Sequence, residues 1–132
     1  MNIALIEDSE IFRHLFIIYA KDLGLSNISE FSNLEKFKQS QINFDLVFTD
    51  LNLPDAWGHD TVNHIRQKNK SCYLVVVTAL AGQYFTGTIA AELIKSGANE
   101  AISKDDLNPK KLSFILQNAN SYLGNHKNES QL

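Results

Sequence analysis

The stretch DLVFTDLNLPDAWG, residues 45–58, places two opposed demands on one short piece of chain. Asp45–Thr49 is apolar enough to be a strand buried on both faces. It runs straight into a carboxylate, Asp50, and then into a loop punctuated by Pro54 and Gly58. A lone buried carboxylate is costly, so the charge of Asp50 must be compensated by neighbours or used in chemistry. Strands apolar on both faces belong to parallel sheets covered by helices on each side.

Working outward, the same alternation of short apolar run and amphipathic stretch recurs along the chain. Asn2–Ile6 reads as a first strand. Ser9 then caps a helix whose inward face takes Phe12, Leu15, Phe16 and Tyr19 before Gly24 closes it. Asn27–Phe31 is a second strand, followed by a helix over Leu34–Gln39. After the third strand, Gly58–Gln67 continues as a helix with Val62 and Ile65 inward. Tyr73–Thr78, YLVVVT, is β-branched and apolar throughout and predicts a fourth strand. A long loop leads into a helix ending at Gly97, and Glu100–Ser103 is a fifth strand. Asn108 and Pro109 read as the cap and first position of a last helix, which carries Leu112, Ile115, Leu116 and Ala119 and stops at Gly124. Five strand–helix units of this kind predict an α/β fold around a parallel sheet.

Composition narrows the function classes. With 132 residues, 44% hydrophobic and 20% charged, the chain suits one domain around one core. A net charge of −3 without a block of Lys and Arg argues against nucleic acid or an anionic membrane as a direct partner. The single cysteine, Cys72, has no internal disulfide partner and reads as a small core residue, which fits a reducing cytoplasm. The longest apolar run, around Tyr73–Ala81, is too short to span a bilayer. The start, MNIALIEDSE, lacks the basic region of a signal peptide. Residues 1–124 are expected to form the domain, with 125–132 a polar C-terminal tail or the start of a linker.

Open parallel sheets bind ligands at the carboxyl ends of their strands. Here the first strand ends in Glu7–Asp8, the third in Asp50, the fourth in Thr78 and the fifth in Lys104. Three adjacent carboxylates repel unless a cation joins them, and hard oxygen donors without His or Cys favour Mg²⁺. Metal, ammonium and hydroxyl together suit a dianionic phosphoryl group. Asp50 can be both metal ligand and nucleophile, since a carboxylate can accept phosphoryl as an acyl phosphate.

These residues carry a resemblance. IEDS after the first strand, DLNLPDxxG with Asp50, Thr78–Ala79 after the fourth strand, Gly97–Ala98 and Lys104 after the fifth, in this order, resemble a two-component response-regulator receiver domain of the chemotaxis-Y-like family. The likeness runs from Asn2 to Leu123. It implies a flavodoxin-like (βα)5 fold, a doubly wound five-stranded parallel sheet with strand order 2-1-3-4-5. It implies that Asp50 is the phosphoacceptor, and that Glu7, Asp8, Asp50 and the backbone carbonyl of Asn52 hold Mg²⁺. Thr78 and Lys104 would contact phosphoryl oxygens. The partners implied are a histidine kinase or histidine phosphotransfer protein on the donor side, and a downstream protein or fused output domain on the other. Such a domain promotes its own phosphorylation and slow autodephosphorylation without being a turnover enzyme.

The sequence also departs from that family. Ala101, three residues before Lys104, stands where the family has a Tyr or Phe that reports phosphorylation, and Asp105 replaces the proline after the lysine. A trans Lys104–Asp105 bond would bring Lys104 in by a different backbone path. The Thr78–Gly97 segment is longer than the family's usual stretch, and Tyr84 or Phe85 within it is a candidate to take over part of the missing aromatic's role or to form a partner surface. The departures motivate an alternative, a pseudo-receiver interaction module that signals without phosphorylation; the intact Glu7, Asp8, Asp50, Thr78 and Lys104 argue against it.

Two lookalikes fail on single residues. The stretch Gly82–Thr88 imitates a P-loop but has Thr88 at the phosphate-binding lysine. A dehalogenase-type phosphatase would need an aspartate where Asn52 stands. His14, His59, His64 and His126 lack metal-ligand spacing, and Trp57 falls beside the mouth of the site.

Overall fold

The computed structural model describes residues 1–79 and 86–130, the side chains of 126–130 excepted. Its five-stranded sheet is built from β1 (Ile3–Ile6), β2 (Ile28–Phe31), β3 (Leu46–Thr49), β6 (Tyr73–Thr78) and β7 (Glu100–Ser103). The order is β2-β1-β3-β6-β7 with every neighbouring pair parallel. Counting only these strands, that is the expected order 2-1-3-4-5. The helices are α1 (Glu10–Asp22), α2 (Leu34–Gln39), α3 (His59–Lys68), α4 (Gly87–Ser96) and α5 (Pro109–Ser130).

The strands bury both faces because alternate residues feed opposite layers. Ala4, Ile6, Val47, Leu74 and Val76 pack with Leu34 and Phe37 of α2, Val62 and Ile65 of α3, and Leu93 of α4. Ile3, Leu5, Leu46, Phe48, Val75 and Val77 pack with Phe16 and Ala20 of α1 and Leu112, Ile115 and Ala119 of α5. The Phe16 and Phe48 rings meet edge-on with centroids 4.8 Å apart. Full burial of each such ring contributes about 2–3 kcal/mol. Cys72 is buried, as its neighbours suggested.

The helix ends follow local chemistry. Ser9 Oγ accepts from Phe12 N–H and opens α1. Asn108 Oδ1 accepts from Lys111 N–H ahead of Pro109. Gly97 closes α4 at φ +128°, in the region that favours glycine. Among the described residues no helix is long and apolar enough to cross a membrane.

Three expectations need correction. Leu15 does not face inward: it is 40% exposed and shares its side of α1 with the exposed Ile11 and Ile18. The helix is apolar around most of its circumference, so periodicity alone did not select the buried stripe. Next, α5 does not stop at Gly124 but runs to Ser130. A glycine inside a helix costs only about 1 kcal/mol relative to alanine, and the residues after it tolerate helix. Finally, the loop after Asp50 contains an antiparallel hairpin, β4 (Asn52–Leu53) with β5 (Ala56–Trp57). A ladder of two residue pairs leaves no periodicity to read.

Candidate functional site

The chain direction of the parallel sheet delivers its strand ends to one edge, and the backbone continues the ladder there. Glu7 N–H donates to Phe31 O and Asp50 N–H to Ile6 O, each at 2.9 Å. Glu7, Asp8 and Asp50 each offer a carboxylate oxygen within 4.8 Å of the other two. Glu7 is 1% exposed and Asp50 9%, while Asp8 faces solvent. Three hard oxygen donors, one of them open to water, suit Mg²⁺ or Ca²⁺ better than a soft metal.

Lys104 supplies the positive charge among them. Its Nζ lies 2.9 Å from Glu7 Oε2 and 3.3 Å from Asp50 Oδ2. Burial works against the ammonium, but the hydrogen bond to Glu7 and the charges of Asp50 and Glu7 outweigh it, and the Lys104 pKa is raised. Burial raises the Glu7 pKa, and the hydrogen bonds from Lys104 and from Ser9 N–H recover only part of the cost. Lys104 reaches these partners without the family's proline. The Lys104–Asp105 peptide is trans, and Lys104–Asp106 form a single 3-10 turn capped by Ser103 Oγ, which accepts from Asp105 N–H at 3.3 Å.

Thr78 is buried at the end of β6, paired in register with Ser103, the residue before Lys104. Asn52 N–H points back to Asp50 Oδ1 at 3.4 Å. Ala101 lies in β7 opposite Val76 and packs against the same core layer as Ile89 of α4. Tyr84, Phe85 and most of the P-loop lookalike lie outside the described residues. Trp57 is 71% exposed and stands opposite Asn52 in the hairpin. His59 Nδ1 is 2.6 Å from Ser96 Oγ on α4 and its Nε2 3.9 Å from Glu92, a helix-to-helix contact.

Several supporting residues were not read from the sequence. Arg13 donates from Nη1 to Glu7 O at 2.6 Å and lies 3.6 Å from Glu30, fixing the backbone under the acidic pair. The Phe12 ring sits 4.6 Å from Lys104 Nζ, a cation–π arrangement. Thr61 Oγ1 donates to Leu51 O, and Thr49 Oγ1 to Asp50 O. Arg13 and Thr61 look like ordinary helix-surface residues in sequence. Phe12 carried the only available signal, an aromatic one helical turn from the acidic pair.

The model of the response regulator receiver domain matches residues 3–116. The chain belongs to that family, the phosphoacceptor domains of two-component signalling. A cyclic di-GMP phosphodiesterase of Thermotoga maritima is 33% identical over 132 residues, covering 93% of this chain and 34% of the relative. The chain thus spans about a third of the length of the curated relative it matches. Among solved structures, the signal receiver domain of an HD domain-containing protein from Pseudomonas fluorescens Pf-5 superposes with a TM-score of 0.79. It is 18% identical, over 94% of this chain and 97% of that one. A response regulator from Burkholderia pseudomallei with a phosphorylated aspartic acid, calcium ion and citrate gives a TM-score of 0.73. It is 20% identical, over 97% of this chain and 74% of that one. At these identities the superpositions establish the shared fold.

Proposed function

We propose that this receiver domain takes a phosphoryl group from a phosphohistidine onto Asp50. Glu7, Asp8, Asp50 and the backbone carbonyl of Asn52 would hold Mg²⁺, and Thr78 and Lys104 would contact the phosphoryl oxygens. The observation that carries this reading is the convergence of three carboxylates, two of them held by the Lys104 ammonium. It is consistent with the phosphorylated aspartic acid of the Burkholderia relative.

In the transfer, an Asp50 carboxylate oxygen forms a bond to phosphorus while the P–N bond to the donor imidazole breaks. The imidazole nitrogen keeps that electron pair. Mg²⁺, when bound, neutralises phosphoryl charge and offsets repulsion among the carboxylates. Lys104 exchanges a contact with Asp50 for one with a phosphoryl oxygen, and the Thr78 hydroxyl donates to another. Catalysis is therefore positioning and charge neutralisation. Water later attacks phosphorus, gives up a proton, and releases inorganic phosphate as the Asp50 carboxylate reforms. Such self-hydrolysis is slow turnover of the domain's own adduct, not enzyme activity on a free substrate.

The donor in this reading is a histidine kinase or histidine phosphotransfer protein in the cytoplasm, and the reader is a downstream protein or a fused output domain. The Thermotoga relative, a phosphodiesterase about three times the length of the match, supports the fused arrangement. Residues 1–124 are then the receiver, and α5 extends polar residues beyond it. Nucleic acid and membrane have no direct part.

The test is intact mass after incubation with acetyl phosphate and Mg²⁺. One phosphoryl group per chain is expected, absent with EDTA and in Asp50→Asn. A folded chain that gains none would favour the pseudo-receiver reading.

A further inference from the structure

We propose that Asp55 is a positioning residue for the metal-binding loop, tying the tip of the β4–β5 hairpin to the start of α2 and so fixing the Asn52 carbonyl. The proposal rests on the reading of Glu7, Asp8, Asp50 and Asn52 as the Mg²⁺ site.

The hairpin has little to hold it in place by itself. Its ladder is two residue pairs, Asn52 with Trp57 and Leu53 with Ala56, and an isolated hairpin is marginal even when longer. Asn52 and Trp57 are both exposed and add little burial. Its base is tied through Leu51 O, which accepts from Gly58 N–H at 3.1 Å and from Thr61 Oγ1 at 3.0 Å. Leu53 and Ala56 enter the core.

The tip is tied by Asp55. Its Oδ1 accepts from Leu34 N–H and its Oδ2 from Glu35 N–H, each at 2.9 Å. Both oxygens thus meet backbone donors some twenty positions away in sequence. Burial is the largest single influence and opposes the carboxylate, but the Leu34, Glu35 and Asp55 N–H groups together with the Lys38 charge outweigh it and hold the Asp55 pKa below its ordinary value. Helix α2 does not need this residue merely to begin. Asn33 Oδ1 already accepts from Lys36 N–H at 2.8 Å as its own N-cap. A second, two-oxygen attachment from the hairpin constrains the hairpin as much as the helix. Asn52 lies between the tied base and the tied tip, so slack at Asp55 is slack at its carbonyl.

The same geometry supplies its own control. Asn33→Ala removes an acceptor from the same helix end while leaving the hairpin untouched. Mg²⁺ alone is titrated calorimetrically into the unaltered chain, Asp55→Ala, Asp55→Asn and Asn33→Ala, with the backbone amide signals of Asn52 and Trp57 followed by NMR. A supporting group of this kind is worth about tenfold in metal affinity, so Asp55→Ala is expected to bind about tenfold more weakly. Asp55→Asn, keeping one acceptor oxygen, falls between. Asn33→Ala binds as the unaltered chain does, and only the Asp55 variants shift Asn52 and Trp57. If Asp55→Ala does not fold, Asp55→Asn against Asn33→Ala decides. Equal Mg²⁺ affinity and unshifted Asn52 in the Asp55 variants would overturn the positioning role. Failure of the unaltered chain to bind Mg²⁺ would overturn the site reading itself and the positioning role with it.

Discussion

Lys104 Nζ stands 2.9 Å from Glu7 Oε2, joining the end of the last strand to a carboxylate at the end of the first that is 1% exposed. The same ammonium is 3.3 Å from Asp50 Oδ2. One lysine therefore keeps two near-buried carboxylates tolerable in the absence of metal. Its position answers the question raised by an apolar strand that ends in Asp50.

Replacing Lys104 by Met leaves the Glu7 carboxyl buried beside Asp50 without its counter-charge. Removing one partner of a buried ion pair is strongly destabilising, and Lys104 retains some exposure, so a loss of about 2–3 kcal/mol is expected. Urea unfolding with and without Mg²⁺ measures it. Mg²⁺ is expected to recover more stability in Lys104→Met than in the unaltered chain, because the cation replaces the missing charge.

Arg66 clamps α3 to the segments that enter β6 and β7. Its guanidinium donates to Gly97 O at 2.7 and 3.1 Å, Cys72 O at 2.7 Å and Asn99 Oδ1 at 2.9 Å. Arg66→Ala takes these donors from Gly97 O and Cys72 O and is expected to cost about 3 kcal/mol by chemical denaturation. Arg66→Lys should recover little, since an ammonium cannot reproduce the planar fork.

Alkali should loosen the fold. Burial pushes the Cys72 thiol up from 9.0 to about 11. Burial, with the Glu100 hydrogen bond and charge, also raises the Tyr73 phenol. A raised folded-state pKa means the unfolded chain releases its proton first. The Cys72 contribution is thus complete below about pH 9 and is lost as pH rises through about 11. Cys72→Ala should flatten that part of a stability–pH curve, and in the native chain at pH 8 the thiol should alkylate only through unfolding.

Much of this was legible in the sequence because the relevant physics is local. Strands buried on both faces appear as unbroken apolar runs, and Ser9, Gly97 and Asn108 announce helix ends by their own backbone chemistry. The acidic pair, Asp50 and Lys104 could be grouped because strand ends in a parallel sheet must converge. What escaped was long-range or marginal. Asp55 and Arg66 act on backbone far from them in the chain, Arg13 acts on the carbonyl of Glu7 just before its own helix, and all three resemble surface charges in a sequence. The hairpin is too short to show alternation, and Gly124 is a weak stop that the helix overrides. The 3-10 turn at Lys104–Asp106 could not be foreseen from the loss of a proline alone.

In the proposed function it is Asp50 that receives the phosphoryl group. An acyl phosphate is reduced by borohydride to homoserine at the modified aspartate, which tandem mass spectrometry can locate. After treatment with acetyl phosphate and Mg²⁺, homoserine is predicted at position 50 alone. Homoserine at position 8 or elsewhere, or an unmodified Asp50 in a chain that binds Mg²⁺, would rule out Asp50 as the acceptor.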